Sequence, residues 1–132
     1  MIRKGLIQSA HDCSDGGLAV TLAECSFSPK IAEGKPLGAK VQLKAEGKRL
    51  DALLFGETPS RVVLSVSPEH ARQVLSVAEE CGVPGADIGE VGGEDLVIRV
   101  VDESSLPGGH IQASISELFD RWKNSLERKL HD

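Results

Sequence analysis

The chain has 132 residues, 40% of them hydrophobic and 27% charged, with a formal net charge of −5. That length fits a single domain over residues 1–132, and the acidic balance, with 3% aromatics and no Tyr, argues against nucleic acid, which wants a basic surface and stacking rings. Cys13, Cys25 and Cys81 are odd in number and lack C-x-x-C spacing, so no disulfide framework or structural zinc is expected and a reducing cytoplasm fits; no signal-peptide pattern and no apolar run of about 20 residues is present, so no membrane span is expected.

The run Ser9-Ala10-His11-Asp12-Cys13-Ser14-Asp15-Gly16-Gly17-Leu18 combines carboxylates, hydroxyls and two glycines, then passes into a helical pattern. The helix is predicted from Asp15 or Gly16 to about Ser26, with Leu18, Leu22 and Cys25 at i, i+4 and i+7 and Ala19, Val20 and Ala23 widening the apolar surface. Its N-terminus exposes amides without intrahelical partners. Glycines there let a phosphate approach the backbone, and a carboxylate can hold a Mg²⁺ that bridges to it. The plainer alternative is that Ser14 or Asp15 caps the helix and the glycines allow tight packing. Against it, Asp12 is spare, and each glycine in a first turn costs about 1 kcal/mol relative to Ala. His11 beside Cys13 lacks a third orienting group, so a cysteine nucleophile is not expected.

Ser28-Pro29 is expected to end the helix, and Glu33-Gly34-Lys35-Pro36 to form a connection. Ala39 to Leu43 reads as a strand with Val41 and Leu43 on one face, and Arg49 to Phe55 as a short helix stopping at Gly56. Phe55-Gly56-Glu57-Thr58-Pro59-Ser60-Arg61 is a second polar cluster: a turn with Glu57 and Arg61 exposed, or a loop whose Arg61 meets a carboxylate or phosphate. Arg61 to Val66 is β-branched and predicted to be the clearest strand. Ser67-Pro68 opens a helix with Ala71, Val74, Leu75, Ala78 and Cys81 on its stripe, closed by Gly82. Ile88 to Val91 and Leu96 to Val101 read as strands joined through Gly92-Gly93-Glu94-Asp95 as a hairpin. After a flexible Leu106-Pro107-Gly108-Gly109 stretch, His110 to Ala113 adds a short strand. Ser114-Ile115-Ser116-Glu117 has capping-box spacing and opens a last helix carrying Leu118, Trp122, Leu126 and Leu130. His70, His110 and His131 share no metal-ligand spacing and are expected to be solvated. The pattern predicts an α+β sandwich with helices over a mixed sheet.

The string from Ser9 to Leu18, with Leu22-Ala23-Glu24, resembles the C-terminal domain of phosphoribosylformylglycinamidine synthase. Leu54-Phe55-Gly56-Glu57 through Ser60-Arg61-Val62 and Ile88-Gly89-Glu90-Val91 fall where that family has its later motifs. Aminoimidazole ribonucleotide synthetase, selenophosphate synthetase and thiamine monophosphate kinase resemble the chain more loosely. The resemblance implies an α/β/α sandwich, partly ferredoxin-like, within an ATP-dependent ligase of purine biosynthesis that turns formylglycinamide ribonucleotide and glutamine-derived ammonia into the amidine.

By position, the resemblance implies that Asp12 ligates Mg²⁺ on ATP or ADP, that Ser14 contacts its phosphates, and that Gly16 and Gly17 give the close backbone approach. It assigns no catalytic residue, because the nucleotide site of this half is auxiliary in the family. Implied partners are the preceding domains of the same synthase, with glutaminase and small bridging subunits in multi-subunit forms. The isolated domain is expected to be inactive, located in the cytoplasm, and prone to self-association through a patch the larger enzyme would bury. The rival readings are a free-standing phosphate- or nucleotide-binding module and a domain of another superfamily member such as thiamine monophosphate kinase.

Overall fold

The computed structural model describes residues 1–27, 31, 33–101 and 108–131. A 3₁₀ turn at Ile2–Lys4 precedes β1 (Ser9–Asp12), α1 (Gly17–Cys25), β2 (Ala39–Lys44), α2 (Leu50–Phe55), β3 (Val62–Ser65) and α3 (Pro68–Glu80). Then follow β4 (Gly89–Val91), β5 (Asp95–Val101), β6 (Gly109–Ser114), α4 (Ile115–Lys123) and α5 (Ser125–His131). The class is α+β with a mixed sheet, as the pattern predicts: four strands in the order β4-β2-β5-β6, with β2 and β5 parallel and the outer pairings antiparallel.

Alternation along β2 and β5 builds the core. Val41, Leu43 and Ala45 face inward with Leu96, Ile98 and Val100, while Lys40, Gln42 and Arg99 stay exposed. Ala19 and Leu22 of α1, Leu54 of α2 and Ile115 at the start of α4 complete the same cluster. The middle strands are therefore held on two edges and one face, and every apolar inward position is used.

Several elements differ from expectation. The residues before and after Gly92-Gly93 do not form a hairpin, because β2 lies between β4 and β5. The glycine pair instead wraps the start of β2: the Gly92 amide donates to the Gly38 carbonyl and the Gly38 amide to the Gly93 carbonyl, both at 2.8 Å. Burial decides the order, since β2 has an apolar face to sink in the middle of the sheet and the exposed three-residue β4 has none. Residues 9–12 form a strand that polar composition disguises, pairing with β3 from Ser9↔Ser65 to Asp12↔Val62 in a separate two-stranded ribbon. The predicted strand at Arg61 to Val66 is correspondingly short and sits in that ribbon, not in the main sheet.

Ser67 and Pro68 open α3 as expected, though the Ser67 hydroxyl makes no capping bond. At α4 the capping box is not formed, since Ser114 is the N-cap without a side-chain bond. The predicted last helix is broken at Asn124 into α4 and α5, leaving Trp122, Leu126 and Leu130 at 55%, 70% and 74% exposure. The expected helix end at Ser28-Pro29 and the Leu106-Pro107 part of the flexible stretch lie outside the described residues. No helix among the described residues is long and apolar enough to cross a membrane.

Candidate functional site

The turn into α1 is made by two glycines in the left-handed region, Gly16 at φ 79° and Gly17 at φ 72°. Side chains with a Cβ rarely adopt that conformation, so the pair is needed for the turn itself. Neither Ser14 nor Asp15 caps the helix through its side chain. The Gly16 amide donates to Glu57 Oε1 at 3.0 Å, and the Gly17 amide to the Ser14 carbonyl at 3.3 Å. A Cβ built on Gly17 would lie 2.6 Å from the Phe55 carbonyl carbon. The close backbone approach expected at these glycines is thus made by the chain's own residues 55–57.

Two sequence clusters 41 residues apart therefore meet at one corner. Arg61 holds it from beneath. Its guanidinium donates to the carbonyls of Leu53, at 3.5 Å, and Gly56, and its own carbonyl accepts from the Cys13 amide at 2.9 Å. Arg61 is half-buried, and its Nε is shielded without a partner among the described residues. Of the two alternatives for Arg61, the exposed turn residue is corrected, since Arg61 is half-buried, and the group it meets here is backbone: the end of α2 presents unpaired carbonyls, and a nearby guanidinium satisfies them. Glu57 and Arg61 were legible in the sequence as a polar cluster, but no local signal connects either to the α1 turn.

Asp12, at the end of β1, and Ser14 are exposed. Their carboxylate and hydroxyl make no hydrogen bond or ion pair among the described residues, and no Arg or Lys ties Asp12 down. The Asp12 carbonyl is engaged instead, close to His11 Nδ1 at 2.8 Å and to Thr21 Oγ1 at 3.4 Å. His11 directs Nε2 at Glu24, 3.5 Å away, and not at Cys13, which is buried. Burial, reinforced by the neighbouring Cys13 and Glu24, pushes the Cys25 thiol up, the opposite of what a reactive thiolate requires. His110 is exposed as expected, whereas His70 is half-buried with Nδ1 shielded and unpartnered among the described residues. The His131 side chain lies outside what is described.

Residues 1–102 match the family described as AIR synthase related protein, C-terminal domain. The chain belongs to that family. This AIR synthase related domain is 40% identical over 129 residues to the phosphoribosylformylglycinamidine synthase subunit PurL of Anaeromyxobacter sp. (strain Fw109-5), covering 95% of the chain and 16% of that protein. Against the same subunit of Moorella thermoacetica it is 41% identical over 126 residues, covering 96% of the chain and again 16% of the relative. The domain thus spans about a sixth of the length of these curated relatives. Among solved structures, a Thermotoga maritima PurL complexed with ATP superposes with a TM-score of 0.66 at 26% identity, over 89% of the domain and 20% of that chain. The same protein complexed with FGAR gives 0.63 at 27% identity, over 89% of the domain and 19% of that chain.

Among the described residues no three His, Cys, Asp or Glu side chains gather to hold a metal. A single unpaired carboxylate such as Asp12 suits Mg²⁺, which keeps several waters and takes one or two carboxylates beside phosphate oxygens.

Proposed function

We propose that this chain is the C-terminal domain of a phosphoribosylformylglycinamidine synthase, an ATP-dependent carbon–nitrogen ligase of purine biosynthesis. The parent enzyme would convert formylglycinamide ribonucleotide and glutamine-derived ammonia to formylglycinamidine ribonucleotide. The reading rests above all on extended similarity to PurL subunits across 95% of the chain. With that activity goes a cytoplasmic setting, and partners consisting of the remaining synthase domains with glutaminase and bridging subunits.

Within that reading, Asp12 and Ser14 form one wall of an auxiliary Mg²⁺–ATP or ADP site. Mg²⁺, when bound, neutralises phosphate charge and orients the phosphates. The chain supplies the Asp12 carboxylate as a ligand and the Ser14 hydroxyl as a phosphate hydrogen-bond donor. Gly16 and Gly17 serve the wall by shape: their left-handed turn leads from Asp12 and Ser14 into α1, while their amides donate to Glu57 and to the Ser14 carbonyl. The support is that both proposed ligand groups are exposed and uncommitted beside a turn fixed from two directions.

Calorimetry with the whole chain tests the site. Asp12→Ala is expected to lower affinity for Mg²⁺–ATP about tenfold while leaving affinity for metal-free ATP unchanged. Equal Mg²⁺–ATP affinity in the two proteins would remove Asp12 from the site.

A further inference from the structure

Asp12 and Ser14 lie on a stretch of backbone that is anchored on both sides of Ser14, and both anchors come from one distant loop. The Cys13 amide, between the two proposed ligand residues, donates to the Arg61 carbonyl at 2.9 Å. The Gly16 amide, just beyond Ser14, donates to Glu57 Oε1 at 3.0 Å. Both acceptors belong to residues 57–61, in the connection between α2 and β3. Among the described residues, His11 and Thr21 also approach backbone atoms of residues 12–17 through their side chains, but both are close in sequence. Glu57 is the side chain that reaches this stretch from another part of the chain.

The loop that carries Glu57 is itself braced. Arg61 donates to the carbonyls of Leu53 and Gly56, tying the far end of the loop back to the end of α2. Ser60 stands in the left-handed region at φ 68°, which residues with a Cβ rarely adopt. Such a conformation persists where surrounding bonds over-determine it, and it gathers at functional sites. Among the described residues the Glu57 carboxylate pairs with no Arg or Lys, and its bond is the one to the Gly16 amide.

We propose that Glu57 is a positioning residue for the Mg²⁺–nucleotide site. Its bond to the Gly16 amide, acting with the Arg61 carbonyl on Cys13, holds the Asp12 carboxylate and the Ser14 hydroxyl in place before the ligand arrives. The inference rests on the reading of Asp12 and Ser14 given above. A segment ordered in advance loses less freedom on binding, so affinity follows the bond that orders it. That bond needs only an acceptor oxygen, which the side-chain amide of glutamine supplies and alanine does not.

Calorimetry with Mg²⁺–ATP and amide hydrogen exchange by NMR, both on the whole chain, test the proposal, with circular dichroism confirming that each variant is folded. Glu57→Ala is expected to weaken Mg²⁺–ATP binding about fivefold. It is also expected to speed exchange at the Cys13 and Gly17 amides, whose acceptors are the Arg61 and Ser14 carbonyls and not Glu57 itself. Glu57→Gln is expected to stay within about twofold of the wild type in both measurements. Wild-type exchange at Cys13 and Gly17 in Glu57→Ala overturns the positioning role. So does wild-type affinity in that variant, and the site itself stands if Asp12→Ala still weakens binding. Glu57→Gln as weak as Glu57→Ala overturns it too, because charge and not the bond would then be acting. A wild type that takes up no Mg²⁺–ATP removes the site and the positioning role together.

Discussion

Gly17 shows how one residue serves two demands. Its left-handed φ of 72° and its approach to Phe55 each exclude a side chain on their own. Gly17→Ala is therefore expected to cost about 3 kcal/mol, lowering Tm by roughly 10 °C in a thermal melt. Gly82 provides the comparison, because it has a similar φ of 69° but open space around its Cα. Gly82→Ala is expected to cost only about 1 kcal/mol, and equal losses at the two positions would show that packing against Phe55 is unimportant. The motif's glycines were visible in the sequence as departures from helix preference. Their use as a seat for α2 was not, because nothing near Gly17 in the chain announces that Phe55 will arrive there.

At the level of elements, local signals succeeded where the driving force is local. The Ser-Pro start of α3, the end of α2 at Gly56 and the alternating strands β2 and β5 all follow from backbone preference or a repeating apolar pattern. Pairing partners did not follow. Gly92-Gly93 carries hairpin chemistry yet loops over Gly38, since register and order are set by which apolar faces can be buried together. β1 was missed because Ser9, His11 and Asp12 have weak strand preference and owe their conformation to β3. A two-stranded ribbon with no fully buried residue is marginal by itself. Amide hydrogen exchange should accordingly be at least about a hundredfold faster in β1 and β3 than in β2 and β5, as read by mass spectrometry or NMR. Comparable protection in both would mean that the ribbon is part of the same cooperative unit as the main sheet.

On the scale of the whole molecule, the domain brings its proposed ligand groups to one exposed corner and leaves Trp122, Leu126 and Leu130 exposed on the helices at the C-terminal end. One proposed carboxylate and one proposed hydroxyl, with no three-residue metal cluster among the described residues, would enclose a nucleotide only in part. Supplied with formylglycinamide ribonucleotide, ATP, Mg²⁺ and ammonia, the chain alone is expected to release no phosphate above background in a continuous assay. Turnover would show that the remaining five-sixths of its relatives' length is dispensable for the chemistry.

By itself the sequence determined the family, the α+β class, most helices and the residues worth watching, because motif spacing and apolar periodicity are properties of neighbouring positions. Only the tertiary structure decided that Glu57 meets the Gly16 amide, that Arg61 braces the end of α2, and that β2 separates β4 from β5. Those outcomes depend on competition among distant segments for the same buried space and the same unpaired backbone groups, and that competition is resolved only when the whole chain has packed.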